Sequence, residues 1–498
     1  MMCKKNLLNK DYNALFEKVI LLAIVGLPLL IISWNIDNDL WFLLSHGRYV
    51  ETNGIPTIEP LTMHENFSFV MQQWLFSLGA WSLFDSFGVN ATIFVVYLLA
   101  IIICVQIFLL AYITSEKKIK LSSLVTFVSF LGLCILFTRT RPQIVTYAII
   151  LSEILSLELY TKTNKFKWLF VLPFLSVLQI NVHASMWGML FVFALPFIVN
   201  SFKFKLLGFI SKGCKKIPLF ISLFLMFFCG FINPYGLEAM TYVLSSYGQK
   251  LLDSTITEMA IISVREIQGL LFFFLLFAVV LIFKFNKTGK TELRYELLLY
   301  GTILLTLLSQ KSFSYFLIGC VPFFSSICSN LENEIIIFTT NKKRNKLLKV
   351  LLPAFLILII SCSLFIRIEN YKVDDNYSKS AKAIDFLAEQ VSDEKTTNVY
   401  VGFNDGGYAE YKGFRAYMDP RAEVFLKVNN NQKDVFEEYI KMQYGQLYYK
   451  DVLCQYDFDY LIADKSDILY IYLKKDEDYK IIYENENSRI YKPISKER

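Results

Sequence analysis

Long apolar runs separated by short polar connections fill the first three quarters of the chain. A ~30 Å hydrocarbon layer needs about 20 apolar residues in a helix, so runs of this length predict membrane spans rather than one large core. About eleven are predicted, near 16–34, 89–112, 121–138, 143–160, 167–182, 184–201, 217–233, 267–284, 294–309, 314–330 and 350–366. Several are short for the layer, which implies tilted helices or helices extended by polar ends. The first run carries no small-residue cleavage site and reads as an uncleaved span.

From about Arg367 the pattern changes to short alternating segments with dense charge. Residues 378–391 and 431–444 have helical spacing, and residues 398–403, 415–418 and 460–463 read as strands. Residues 479–483 and 488–491 flank Glu484-Asn485-Glu486-Asn487 as a hairpin. The expected architecture is an α-helical polytopic membrane part, residues 1–366, followed by a small α/β domain, residues 367–498. That tail has the charge density of a unit that folds by itself.

Charge adds orientation. Lys4, Lys5, Lys10 and Lys18 precede the first run, and lysine clusters follow the second, fourth, sixth, eighth and tenth, the last being Lys342 to Lys349. Every second connection is basic. By the positive-inside rule the N-terminus is cytoplasmic, and an odd number of spans places the tail outside the cell membrane. On that outer side lies a first loop, residues 35–88, with two half-apolar stretches containing Trp41, Trp74 and Trp81. These predict two helices in the membrane interface, the first ended by Gly54 and Pro56.

Over 498 residues, 55% are hydrophobic and only 19% charged, with a net charge of +6. The Lys/Arg clusters lie between apolar runs, so no nucleic-acid surface is indicated. Nine cysteines form no CxxC pair, and the three histidines His46, His64 and His183 are too few for a multi-histidine metal site. No glycine-rich nucleotide loop is present.

The candidate chemistry gathers on the predicted outer side. Asp37 and Asp39 follow the first run, where an aspartate serves as general base, two carboxylates share a divalent metal, or Asp39 simply caps the helix that begins at Leu40. Arg139 and Arg141 sit at the outer end of the third run, as a phosphate clamp or as snorkelling anchors. His183 lies in the polar cluster Asn181, His183, Ser185, either touching substrate or structural. Lys311 is a further outer cation and Glu258 a further outer acid. Asn233-Pro234-Tyr235-Gly236 reads as a turn, and Gly406-Gly407 as a tight strand-to-helix connection or a place for close ligand approach.

Taken in order, these boxes resemble a family of bacterial multispan proteins of the GT-C glycosyltransferase-like type. The resemblance rests on Asp37-Asn38-Asp39-Leu40-Trp41, Gly54-Ile55-Pro56, Arg141-Pro142-Gln143, Asn181-Val182-His183, Asn233-Pro234-Tyr235-Gly236, Gly406-Gly407-Tyr408 and Asp419-Pro420-Arg421. The sequence departs where a histidine usually follows the tryptophan, since Phe42-Leu43-Leu44 stands there and His46 comes later. An acid common after the Ile-Pro turn is Glu59, and Asp419-Pro420-Arg421 replaces a usual Asp-Gly-Arg. The resemblance implies transfer of a sugar from a polyprenyl-phosphate donor to a glycan or cell-envelope acceptor. Asp39 or Asp37 would be the base, and Arg139, Arg141, Lys311 and His183 would compensate the phosphate. Rival readings are a glycan polymerase or ligase, a transporter of lipid-linked glycan, and a non-catalytic assembly protein. A transporter favours ionisable groups in mid-span, where Gln106 and Glu153 are the candidates.

Overall fold

The computed structural model describes residues 26–32, 36–206, 209–211, 213–246, 248–285, 291–338 and 379–494. Among these, five helices are long and apolar enough to cross a membrane: Val89–Thr114, Ile119–Leu136, Gln143–Thr163, Ala184–Ser201 and Gln310–Ser329. Shorter apolar helices cover Phe166–Val182, Lys216–Cys229 and Ile267–Ile282. The predicted run at 167–182 is divided, because a 3-10 turn at Phe166–Phe170 precedes the twelve-residue helix Val171–Val182. The run at 294–309 is the helix Leu293–Leu308, which carries Arg294 and Glu296 in its first turn. The predicted span at 350–366, the start of the tail near 367 and the cluster from Lys342 to Lys349 lie outside the described residues, as does the run at 16–34 apart from 26–32.

The long helices are sided as lipid-exposed helices are. On Val89–Thr114, Val96, Ala100, Ile103, Cys104, Ile107 and Ala111 recur at helical spacing and are buried, whereas Phe94, Leu98 and Val105 are exposed. An apolar outer face is costly in water and natural in lipid. The central helix Gln143–Thr163 begins directly after Pro142, whose fixed φ suits a helix start, and ends at Asn164 in the left-handed conformation. Gln106 donates to Ser152 Oγ at 2.7 Å and so ties two helices together. Deeper along the same helix, Arg294 Nε donates to Glu158 Oε2 at 2.7 Å. This interior ion pair has no counterpart in the sequence reading.

In the tail, a five-stranded sheet runs in the order Arg415–Ala416, Asn398–Tyr400, Tyr460–Asp464, Ser488–Pro493, Tyr479–Glu484. The first three strands are parallel and the last two pair antiparallel, with Val399 opposite Tyr460, Leu461 opposite Tyr491 and Ile481 opposite Tyr491. The helices Ala381–Gln390 and Val435–Gln443 fall within the predicted segments.

The first loop forms both expected helices, Leu40–Asn53 and Trp74–Phe87, but not as isolated elements. They pack on each other, and the first is buried under the tail. Trp41 meets Tyr408 and Tyr411 with ring centroids 5.0 and 4.7 Å apart. Nor is the tail closed by its own residues. Leu40, Trp41 and Leu44 share one hydrophobic cluster with Ile384, Leu387, Val399 and Ala409. Val50, Phe67, Phe69 and Met71 share another with Tyr417, Met418 and Phe425. The chain at Thr62–Met63 even extends the sheet, bridging Ala416 in parallel and donating from Met63 N to Ala416 O at 3.0 Å. Covering an edge strand in this way removes an aggregation-prone surface.

Candidate functional site

The first acid box is organised by its own backbone. Asp37 Oδ1 accepts the Asp39 N–H at 3.1 Å, and Leu40 N donates to Asp37 O at 2.9 Å. Asp39 stands at the N-cap of Leu40–Asn53 but makes no side-chain cap bond. Its carboxylate is turned instead to Arg141, whose Nε lies 3.2 Å from Asp39 Oδ2 and 3.0 Å from Asp37 Oδ2. The capping role proposed for Asp39 is therefore not the one its side chain performs.

Arg141 is placed by the turn Arg139-Thr140-Arg141-Pro142, in which Arg141 N donates to Arg139 O at 2.8 Å. The turn directs Arg141 Nη1 to Glu258, 3.2 Å from both carboxylate oxygens. Arg139, more than half exposed, reaches Asp37 Oδ2 at 3.5 Å. Lys311 arrives from another direction, since Lys311 N donates to Glu258 O at 3.0 Å and Gln310 N to Ala260 O at 2.9 Å. Its side chain lines the same cavity as Asp39, Arg141 and Glu258, and no ion pair involves it among the described residues.

The charges shift one another. Burial pushes the Asp39 carboxyl up to about 7; Arg141 opposes that rise, while Asp37 and Glu258 add to it. Burial also lifts Glu258, but Arg141 and Lys311 more than reverse it, leaving Glu258 below its ordinary value. One acid is thus poised near neutrality and its neighbour held ionised, the separation that acid–base chemistry needs.

His183 lines the same cavity. Its Nδ1 pairs with Thr146 Oγ1 at 3.0 Å, and its carbonyl accepts from Gln179 Nε2 at 2.9 Å. Asn181 faces away, accepting from Trp74 Nε1 at 2.9 Å and donating to Ile232 O at 2.8 Å, so it fixes the loop helix to the bundle. Among the described residues no three Asp, Glu, His or Cys side chains converge to hold a metal ion. The guanidinium of Arg141 occupies the place between the three carboxylates.

The cavity measures about 130 Å³. Beside it, sharing Arg141, a groove of about 430 Å³ runs between Val89–Thr114 and Ile119–Leu136. Ile93, Val96, Ile135 and Leu136 form its apolar walls, and Asp37, Arg139 and Arg141 stand at its polar end.

The tail supplies the remaining wall through Pro420, Arg421 and Glu423, which sequence reasoning left out of the site. Arg421 is a fully enclosed hub. Its Nε donates to Asp419 Oδ1 at 2.9 Å, and its Nη1 donates to Glu59 Oε2 at 2.7 Å and to His46 Nε2 at 2.8 Å. His46 is held for this role by Nδ1, paired with Phe42 O at 2.8 Å. Burial raises the Glu59 carboxyl, but Arg421 and His46 together outweigh burial and hold it well below its ordinary value. Gly407 serves the same docking, since a Cβ there would lie 3.2 Å from Phe42 N, while a Cβ on Gly406 would overlap Met418 O within the tail. The signal for this hub was present in the sequence as His46, Glu59 and Asp419-Pro420-Arg421, but nothing in the spacing joined them.

No protein-family model matches the chain, and no curated protein matches it in sequence. Solved structures do match. The Archaeoglobus fulgidus oligosaccharyltransferase, tethered to an acceptor peptide containing an NVT sequon, superposes with a TM-score of 0.57 at 12% identity, covering 96% of this chain and 74% of that one. ArnT from Cupriavidus metallidurans, bound to undecaprenyl phosphate, gives a TM-score of 0.50 at 10% identity over 97% of this chain and 98% of that one. The chain therefore has the GT-C fold.

Proposed function

We propose that this protein is a membrane glycosyltransferase that moves a sugar from a polyprenyl-phosphate donor to an acceptor at the outer membrane face. The observation that carries the reading is the amphipathic groove ending on Asp37, Arg139 and Arg141, directly beside the cavity that holds Asp39, Glu258 and Lys311. An isoprenoid chain suits walls such as Ile93, Val96 and Leu136, and its phosphate suits the cations at the end. The oriented lysine clusters support a cytoplasmic N-terminus and an outer tail, which reporter fusions at both ends test.

In the proposed step an acceptor hydroxyl gives its proton to the Asp39 carboxylate while its oxygen attacks the anomeric carbon. The bond from that carbon to the phosphate oxygen breaks, and the electron pair leaves on the phosphate. Two nearby cations receive that charge: Lys311, which makes no ion pair among the described residues, and the more than half exposed Arg139, whose contact with the acids is the longer one to Asp37 Oδ2 at 3.5 Å. Arg141 already faces Asp37, Asp39 and Glu258, so its role is to position those acids and hold Asp39 near neutrality. Asp37 organises the turn and the arginines, which makes Asp39 the preferred base. No step is routed through a metal, since the three acids converge on a guanidinium.

The test is transfer from a synthetic undecaprenyl-phosphate hexose in membranes containing wild type, Lys311→Met or Asp39→Asn at matched expression. Release of undecaprenyl phosphate by wild type and its loss in Asp39→Asn are expected. Equal release by wild type and Asp39→Asn would reject the reading.

A further inference from the structure

On the far side of the cavity from the amphipathic groove lies a wider space of about 670 Å³. It is bounded by the first loop at Thr57, Ser68 and Phe69, by the helix Leu237–Ser246, and by the tail near Asn429 and Asn431. Between this groove and the cavity is a neck of only about 10 Å³. The neck shares Phe69, Val70, Tyr242 and Val424 with the groove, and Gln72, Gln73, Arg421 and Glu423 with the cavity. Groove, neck, cavity and amphipathic groove therefore adjoin one another in that order.

We propose that the groove binds a neutral, polyhydroxylated acceptor glycan, and that Glu423 and its partners are the gate through which the acceptor reaches Asp39. This rests on the transferase reading and names its acceptor. The two ends of this series differ in charge. Arg139 and Arg141 stand at the lipid-side groove, whereas among the described residues the lining of the outer groove has no Lys, Arg or His and a single carboxylate, Glu238. A phosphate-bearing acceptor finds no counter-charge there. Hydroxyl and amide side chains such as Thr57, Thr241, Asn429 and Asn431 match sugar hydroxyls, which both donate and accept. Phe69 and Tyr242, both nearly buried, add small patches of aromatic surface to the same lining.

The gate is built from three side chains. Glu423 Oε1 accepts from Gln72 Nε2 at 3.1 Å and from Tyr242 OH at 3.5 Å. Its backbone is braced by Asn429, whose Nδ2 donates to Glu423 O at 2.7 Å. A hydroxyl arriving from the groove can donate to Glu423 Oε1 while its oxygen accepts from Gln72 Nε2 and Tyr242 OH, so all three gate side chains keep a partner on opening.

The test measures binding without donor, so it is separate from transfer. Purified protein in nanodiscs is titrated with two fluorescent probes of equal length, a neutral hexose oligosaccharide and a polyglycerol phosphate. Thr241 is exposed on the groove wall, and Thr241→Trp fills the groove without entering the core. Wild type should bind the neutral probe, and Thr241→Trp should bind it at least about tenfold more weakly with unchanged thermal unfolding, a loss of about 1.4 kcal/mol. Tighter binding of the phosphate probe, equal binding by wild type and Thr241→Trp, or no binding of either probe overturns the proposal. Absence of sugar transfer by a wild type that still binds the neutral probe would count against the transferase reading alone.

Discussion

Arg421 Nη1 donates to Glu59 Oε2 at 2.7 Å across 362 residues of sequence, and both side chains are almost wholly enclosed. This contact joins the tail to the first loop and sets the wall of the cavity.

Removing one member of a buried charge network leaves the others without compensation, at a cost of about 3–5 kcal/mol. Arg421→Ala should therefore lower the unfolding midpoint sharply, because Glu59 and Asp419 stay behind. Arg421→Lys should recover only part, since an ammonium cannot reach Asp419, Glu59 and His46 together. Glu59 is held below its ordinary 4.5. Its stabilisation is present above that value and is lost as pH falls through the lowered folded-state value. Unfolding followed in detergent against pH checks both points, and an Arg421→Ala midpoint equal to wild type would refute the latch.

Asp39→Asn should reduce transfer by about 10²–10⁴-fold with the protein folded and inserted, because the Asp39 side chain makes no cap bond. Asp37→Asn should cost less. Its amide oxygen still accepts the Asp39 N–H, and only the charge facing Arg139 and Arg141 is lost. A larger loss in Asp37→Asn than in Asp39→Asn would exchange the two roles.

A base must be ionised to act. With the Asp39 carboxyl raised to about 7, the rate should climb as pH rises through 7 and level off above it. Arg141→Gln takes away the group that restrains this rise, so the same limb of the profile should move to higher pH. A merely structural Arg141 would lower the rate without moving the limb.

Residues 379–494 expressed alone should aggregate, since Leu40, Trp41, Leu44, Phe67 and Phe69 complete their core. A monomeric tail with sharp thermal unfolding would show that the shared clusters are dispensable.

Much of the fold could be read from the sequence because each level repeated one message. Apolar runs gave helices, and the alternation at 479–483 and 488–491 gave the hairpin Tyr479–Glu484 and Ser488–Pro493. The nearness of Asp39, Arg141 and Glu258 was legible only as a shared side of the membrane, because positive-inside logic sorts residues by side and carries no distances. The Arg421 hub was not legible. A charge buried by packing against residues hundreds of positions away has no local pattern, and His46 sits inside an otherwise ordinary helix. The partners of Trp74 and Trp81 were not legible for a related reason. An amphipathic aromatic looks the same in a lipid interface as it does bonded to Asn181 or to Glu51.

The reach from His46 to Arg421 also sets a timetable. At about 5–20 residues per second, the 375 residues between them take roughly 20–75 s to synthesise. Throughout that interval the loop is made but lacks its lid. Glu59 and His46 stay hydrated, Phe67 and Phe69 have no partners, and the cavity lacks a wall. The cavity wall is finished only after Pro420, Arg421 and Glu423 have emerged, so a nascent chain, or one that stops before them, can thread the membrane and still hold no working pocket.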